Sequence, residues 1–522
     1  MLRRIAARVL VAAAVLLVAG CATSLPDFPR TESHAWNDPA ESTLLAQATS
    51  AAAERGGRSG FALLDNGTDA FAARALAAMR AERTLDIQYY LVHDGLTTRV
   101  LMHLVLAAAE RGVRVRILLD DAATRGNDFA VATLAAHPNI EVRLFNPMYA
   151  GRKTFIGSTV AMLTNLNRLH RRMHNKLWIA DNAIAVSGGR NLGDEYFGAA
   201  ADVNFADIDL LSLGPVVADL SRSFDAYWNS PNAVPVEAFV TTRPGARELR
   251  RLRNRVQAYV ASPAVQKSPY LARLRARQDN DYLSLGDDAL AWGDAEAVWD
   301  DPAKVNSPGI PPENQMLASS LRPHFEATQK ELLLVSAYFV PGDNGIALLS
   351  GLAQRGVDVR VLTNSLAATD VSFVYGAYED CRAPLLAAGV GLYEMKPVLR
   401  EKSSPNRFSI RAASAASLHT KAMVFDDDTA FIGSYNLDPR SMFWNTEVGV
   451  VVHSAVLSQA LRSLLANAFD PVNSFRLVLD KGEIRYRTQE EQGEVLIRRP
   501  HASPWKRFQA WLADEFGPDR MM

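Results

Sequence analysis

Two short runs of residues in this chain carry side chains suited to attack on phosphorus. The first is His174-Asn175-Lys176, followed by Asp181, Gly188-Gly189 and Asn191; the second is His419-Thr420-Lys421, followed by Asp426, Gly433-Ser434 and Asn436. Both read H-x-K-x4-D-x6-G-[GS]-x-N, 245 positions apart and with no change of internal spacing. A phosphodiester is shielded by its own negative charge. Cleaving it takes a nucleophile, an acid for the leaving alcohol, and positive charge on the non-bridging oxygens. Histidine suits the first two roles because it titrates near neutrality. Two histidines divide them: one forms a phosphohistidine, while the other protonates the leaving group and then deprotonates the acceptor. Lys176 and Lys421 supply fixed charge, with Asn191, Asn436 and Ser434 as neutral hydrogen-bonding groups for substrate. No His, Asp or Cys cluster with metal-ligand spacing stands elsewhere, so the expectation is a site without metal or cofactor.

The elements that must position these groups repeat as well. Arg111-Gly112-Val113 and Arg355-Gly356-Val357 lie 244 positions apart, so whole domains are duplicated and not only the two phrases. A strand over 85–91, a helix over 98–111 stopped by Gly112 and a strand over 113–119 are matched by a strand over 332–339, a helix to Arg355 and a strand over 357–362. Each phrase sits on a strand, 176–180 or 421–425, so a histidine and a lysine two apart share one face. This order predicts an α/β fold with a mixed, mainly parallel sheet flanked by helices in each half. The expected boundaries are a tether over 22–60, a first repeat over 61–235, an insertion over 236–315 with no counterpart, a second repeat over 316–475, and a hairpin and amphipathic helix over 476–522. The arginine-rich helix near 247–260 reads as a solvated face. Trp505, Phe508, Leu512 and Phe516 form a stripe expected to dock onto its own domain.

A chain of 522 residues suits two domains with sizeable cores, and 48% hydrophobic with 22% charged residues is a globular composition. A formal net charge of -1 argues against nucleic acid as a partner. Arg3, Arg4 and Arg8, an apolar run from Val9 to Ala19 and then Val18-Ala19-Gly20-Cys21 resemble a bacterial lipoprotein signal over residues 1–21. That resemblance implies lipidation of Cys21 and a protein anchored on the periplasmic side, with Ala22 favouring the outer membrane over the inner. Cys381, the other cysteine, reads as a small buried hydrophobe.

The paired phrases resemble the phospholipase D superfamily, and the resemblance covers residues 61 to 475. It implies two repeats packed with pseudo-twofold symmetry, their motifs facing each other. It makes His174 the nucleophile and His419 the acid and base, with Asp181 and Asp426 as structural supports. A downstream carboxylate orients the histidine: Glu447 fits for the second half, and Asp207 is its counterpart in the first, with Asp209 competing. His170-Arg171-Arg172, just upstream, is a further candidate for binding phosphate or headgroup. Gln88-Tyr89-Tyr90, Phe145-Asn146-Pro147, the run from Gly188 to Phe197 and Asp300-Asp301-Pro302-Ala303-Lys304 resemble the bacterial cardiolipin synthase C group. That implies phosphatidyl transfer to phosphatidylglycerol, with phosphatidylethanolamine among the donors, at a membrane surface; the internal repeat already supplies a twofold arrangement, so a monomer suffices. Two alternatives use the same histidines: hydrolysis of phospholipid headgroups to phosphatidic acid, and a periplasmic endonuclease, against which stand the near-neutral charge and the lipid anchor.

Overall fold

A computed structural model describes residues 28–124, 126–148, 170–279, 290–397, 415–490 and 493–516. The leader and Cys21 lie outside the described residues. The first half contributes β1 (Ser59–Leu64), β2 (Thr84–Tyr89), β3 (Arg114–Asp120), β4 (Ile140–Phe145), β5 (Leu177–Ala180), β6 (Ile184–Gly188), β7 (Val203–Ala206), β8 (Asp209–Leu213) and β9 (Ala233–Pro235). The second contributes β10 (Ala291–Trp299), β11 (Glu331–Ser336), β12 (Asp358–Asn364), β13 (Gly391–Met395), β14 (Ala415–Leu418), β15 (Lys421–Phe425), β16 (Thr429–Gly433), β17 (Val448–His453), β18 (Ser474–Asp480), β19 (Glu483–Glu490) and β20 (Gly493–Ile497).

Hydrogen bonding orders the first half β1-β8-β6-β5-β2-β3-β4-β9. The second half is ordered β10-β17-β16-β15-β11-β12-β13-β18, the same path strand for strand. β1 and β10 then pair antiparallel with each other and join the halves into one sheet. Within that sheet the parallel pairings are β2–β3, β3–β4, β11–β12 and β12–β13. The mixed sheet is as expected, but its parallel share is smaller. Helical crossovers such as Leu96–Glu110 join the neighbouring parallel strands, whereas β5 to β6 and β15 to β16 return through tight turns that make those neighbours antiparallel. β10 also corrects the boundary of the second repeat. It lies inside the supposed insertion 236–315, yet it pairs with β17 as β1 pairs with β8.

Buried apolar residues form one core on each flank and one between the halves. The central core joins Leu177, Ile179 and Leu210 to Val335, Ala422, Val424 and Val450, with the helices Pro215–Trp228 and Ala455–Phe469 contributing Leu220, Phe224, Leu461 and Leu465. The halves are therefore packed like the inside of one domain. The helix Ala246–Val260 buries only Val256 and leaves its arginines in solvent, as expected. The C-terminal helix Pro504–Phe516 departs from expectation. Ala510 is its buried contact, whereas Trp505, Phe508 and Leu512 face outward.

Candidate active site

The two histidines are brought together by backbone exchange between the halves. His174 lies just before β5, and its amide donates to the Thr446 carbonyl at 2.8 Å, while the Thr446 amide donates to Arg172 at 2.9 Å. Across the site β14, which leads into His419, runs parallel to β7, which leads into Asp207. The amides of His419 and Thr420 both donate to the Ala206 carbonyl, at 2.8 and 3.0 Å. Each histidine segment is thus laced to the carboxylate segment of the opposite half.

The side chains follow the same exchange. His174 Nδ1 lies 2.9 Å from Glu447 Oε2, and His419 Nδ1 lies 2.6 Å from Asp207 Oδ2. The within-half pairing expected from sequence is therefore corrected: Glu447 serves the first histidine and Asp207 the second. Asp209 does not compete, because Arg74 holds it in a buried ion pair at 2.8 Å. With an ionised carboxylate at Nδ1, each neutral imidazole keeps its proton on Nδ1 and presents a lone pair at Nε2.

The two carboxylates are not equivalent. Glu447 also accepts the hydroxyls of Ser434 at 2.5 Å and Ser441 at 2.9 Å, and its own amide donates to Asp300 at 2.8 Å. Asp300 is held by buried Lys304 at 2.8 Å, which gives the Asp300-to-Lys304 run a physical role. Asp207 has no such hydroxyls; its Oδ1 accepts the amide of Ile208 at 2.9 Å. Gly189 occupies the position of Ser434, and a Cβ there would lie 2.5 Å from both Asp207 oxygens, so the site requires glycine. Ser434, expected to bind substrate, instead supports Glu447.

Burial sets the protonation states. It pushes His174 down to about 4, against the opposing pull of Glu447, and it lowers His419 as well, reinforced by Lys421 and Lys176. Glu447 stays below the usual glutamate range: burial raises it, but His174, Lys176 and Ser434 together outweigh that. Asp207 is raised by burial, with Lys421 opposing. Both lysines are lowered, again first by burial, with Glu447 and Asp207 favouring their charge. Buried cations weakly compensated in this way favour an entering anion. Lys176 Nζ donates to the His174 carbonyl at 2.6 Å, and Lys421 Nζ donates to that of His419. Asn191 and Asn436 turn their carbonyl oxygens to the amides of Leu91 and Tyr338, at 3.2 and 3.3 Å, leaving the amide nitrogen as the donor end.

Aromatic rings fix the imidazole planes. Tyr90 stands edge-on to His174 with centroids 5.1 Å apart, and Tyr196 and Phe205 contact His419 at 5.3 and 5.1 Å. Tyr90 had been visible only as part of a family-like run. Nothing local marked Phe205, which follows from β7 pairing with β14. Asp181 and Asp426 sit at the far ends of β5 and β15. Asp181 accepts the amides of Glu82, Arg83 and Thr84, each at 2.8 Å, and Asp426 accepts those of Gln329, Lys330 and Glu331. They support the fold and are remote from the chemistry. Arg172 is engaged by Asp120 at 3.2 Å and Arg171 by the Lys304 carbonyl at 3.1 Å, so neither guanidinium is left as a dedicated phosphate ligand. Among the described residues no three His, Cys, Asp or Glu side chains converge as a metal site requires.

Twinned sheets that present two histidine–lysine pairs, each backed by the other's half, define an enzyme of the phospholipase D superfamily. The chain belongs to the family described as "Cardiolipin synthase, PLD-like domain", whose model matches residues 77–228 and 321–468. Cardiolipin synthase C of Escherichia coli (strain K12) is 37% identical over 461 residues, spanning 88% of this chain and 95% of that protein. Cardiolipin synthase A of Pseudomonas putida (strain GB-1) is 25% identical, over 78% of this chain and 68% of that one. The crystal structure of phosphatidylserine synthase from Haemophilus influenzae Rd KW20 shares the fold, with a TM-score of 0.55 at 12% identity, over 89% of this chain and 96% of that one.

Proposed function

We propose that this protein is a phosphatidyltransferase that forms cardiolipin from phosphatidylglycerol and a second phospholipid through a phosphohistidine intermediate. The observation that carries the reading is the cross-half pairing of His174 with Glu447 and His419 with Asp207 in a buried site holding two lysines. His174 Nε2 attacks phosphorus and the bond from phosphorus to the leaving alkoxide breaks; His419, which takes up a proton at Nε2 when the anionic diester enters beside it, gives that proton to the leaving oxygen. In the return step the acceptor hydroxyl gives its proton to His419. Its oxygen then attacks phosphorus, and the nitrogen–phosphorus bond breaks. Diesters are exchanged without ATP because the two are nearly isoenergetic. The assignment of His174 as nucleophile is supported by Glu447, which three side-chain donors keep ionised. Lys176 and Lys421 would hold the non-bridging oxygens, and the amide ends of Asn191 and Asn436 would add neutral donors.

Phosphatidylethanolamine as donor, a monomeric state and lipid anchoring through Cys21 on the periplasmic side, in the outer membrane before the inner, belong to the same proposal. A single chain already holds both half-sites, and no described helix is long and apolar enough to cross a membrane. The test is incubation with phosphatidylglycerol vesicles, with and without phosphatidylethanolamine, followed by mass spectrometry of the lipids. Cardiolipin formed by the native protein and absent with His174→Ala and His419→Ala is the expected result. Phosphatidic acid alone would make the protein a hydrolase. No lipid turnover would defeat the proposal.

A further inference from the structure

The C-terminal helix Pro504–Phe516 presents Trp505, Phe508, Trp511 and Leu512 to solvent and Ala510 to the domain. Trp505 is 65% exposed, Phe508 47% and Leu512 38%, whereas Ala510 is 1% exposed and packs in the flanking core of the second half. The rings of Trp505 and Phe508 stack on each other with centroids 5.7 Å apart. Exposed Val371 and Phe373 lie at the start of the helix Ser372–Ala387, against which the C-terminal helix packs. A folded chain does not ordinarily leave such a run of aromatic residues in water.

A chain of contacts links the patch to the active site. Lys506 Nζ donates to the carbonyls of Ala367 and Thr369, both at 2.7 Å, which fixes the helix to the loop ahead of Asp370. Asp370 accepts the Tyr338 hydroxyl at 2.9 Å, and the Tyr338 amide donates to Asn436 of the second phrase at 3.3 Å. Asp370 also favours the charged form of Lys421. Three hydrogen bonds therefore lead from the helix to Asn436 in the His419 half of the site. Its first nine residues, Pro504 to Leu512, hold Lys506 and Arg507 and no acidic residue, and exposed Arg498 precedes them.

We propose that the outer face of this helix docks on a bilayer of anionic phospholipid and seats the His419 side of the site against the lipid surface. Tryptophan and phenylalanine with flanking cations match the boundary between headgroups and acyl chains, where apolar rings and positive charge are both accommodated. Exposed rings flanked by the exposed cations Arg498 and Arg507 favour a lipid surface over a protein partner or a second copy. That the site uses lipid rests on the function proposed above; the docking itself is read from the helix.

The test uses the full chain with its native N-terminus, so that any anchor is common to all variants. Vesicles contain phosphatidylglycerol and phosphatidylethanolamine, with brominated acyl chains for the fluorescence arm. Tryptophan emission is expected to be quenched, and Trp505→Phe is expected to lose part of the quenched component. Trp505→Ser/Phe508→Ser is expected to turn over short-chain phosphatidylglycerol, dissolved as monomers, at the native rate, and vesicles on the order of tenfold more slowly. Arg507→Glu, which leaves the apolar face intact, is expected to lower the vesicle rate at low salt only. Equal vesicle rates, equal losses on both substrates, unquenched Trp505, or a dimer that the double variant dissociates would each overturn the proposal. No lipid turnover by the native protein would instead defeat the transferase reading, and the quenching would still decide the docking.

Discussion

Glu447 accepts hydrogen bonds on both carboxylate oxygens, and one of its three partners is the histidine of the other half. Glu447→Gln keeps the shape but removes the charge that fixes the His174 tautomer. Turnover is expected to fall about 10²–10⁴-fold with little change in thermal midpoint. Asp207→Asn should act the same way through His419. Measuring proton delivery with a leaving group that needs no acid separates the two: only Asp207→Asn should be partly rescued. The pH dependence has a definite sign. An unfolded histidine binds a proton below about 6.5, whereas folded His174 resists until about 4. Between those values the unfolded state binds more protons, so stability falls on acidification by on the order of 3 kcal/mol from this group. Urea midpoints at neutral and mildly acidic pH should therefore diverge less in His174→Gln than in the native protein. The histidines, lysines and asparagines were all legible in the sequence, because their types and spacing are the chemistry. Which carboxylate serves which histidine was not legible, since that depends on which strands cross between the halves.

Among the elements, the motif strands show how a repeated spacing serves structure as well as chemistry. Asp181 adopts a left-handed backbone, φ 52°, at the turn after β5 and gathers three amides at the start of β2. Asp426 does the same for β11, with φ 49°. Asp181→Ala should lower stability by about 2–4 kcal/mol, read by denaturant unfolding, because it strands buried donors and strains the turn. Asp181→Asn, which tolerates the same φ and retains an acceptor, should lose much less. The strands and helices of the βαβ units were legible from apolar runs and glycine stops. β10 was not legible because its sheet partner β17 lies about 150 residues further along the chain and the stretch before it carries no repeat signal. The outward stripe of the C-terminal helix was missed because periodicity reveals an amphipathic face but not the direction in which it points.

Taken as a whole, the molecule has a continuous sheet through β1 and β10 and one apolar core shared between its halves. Fragments 28–279 and 290–516, produced separately, should each lack turnover, because His174 and Glu447 are then on different chains, as are His419 and Asp207. Mixing them should restore activity together with a one-to-one complex in gel filtration. Activity in a fragment that gel filtration shows to be monomeric would contradict the exchanged site.

The exchange also has a genetic meaning. A lesion at Asp207 disables the histidine encoded more than two hundred codons downstream, and a lesion at Glu447 disables the one encoded upstream. Recombination between the two like stretches would loop one of them out and leave a shorter gene. Its product would still carry a histidine, a lysine and a carboxylate, yet that carboxylate would point away from its own histidine. Such a chain would regain a complete site only by meeting another copy of itself.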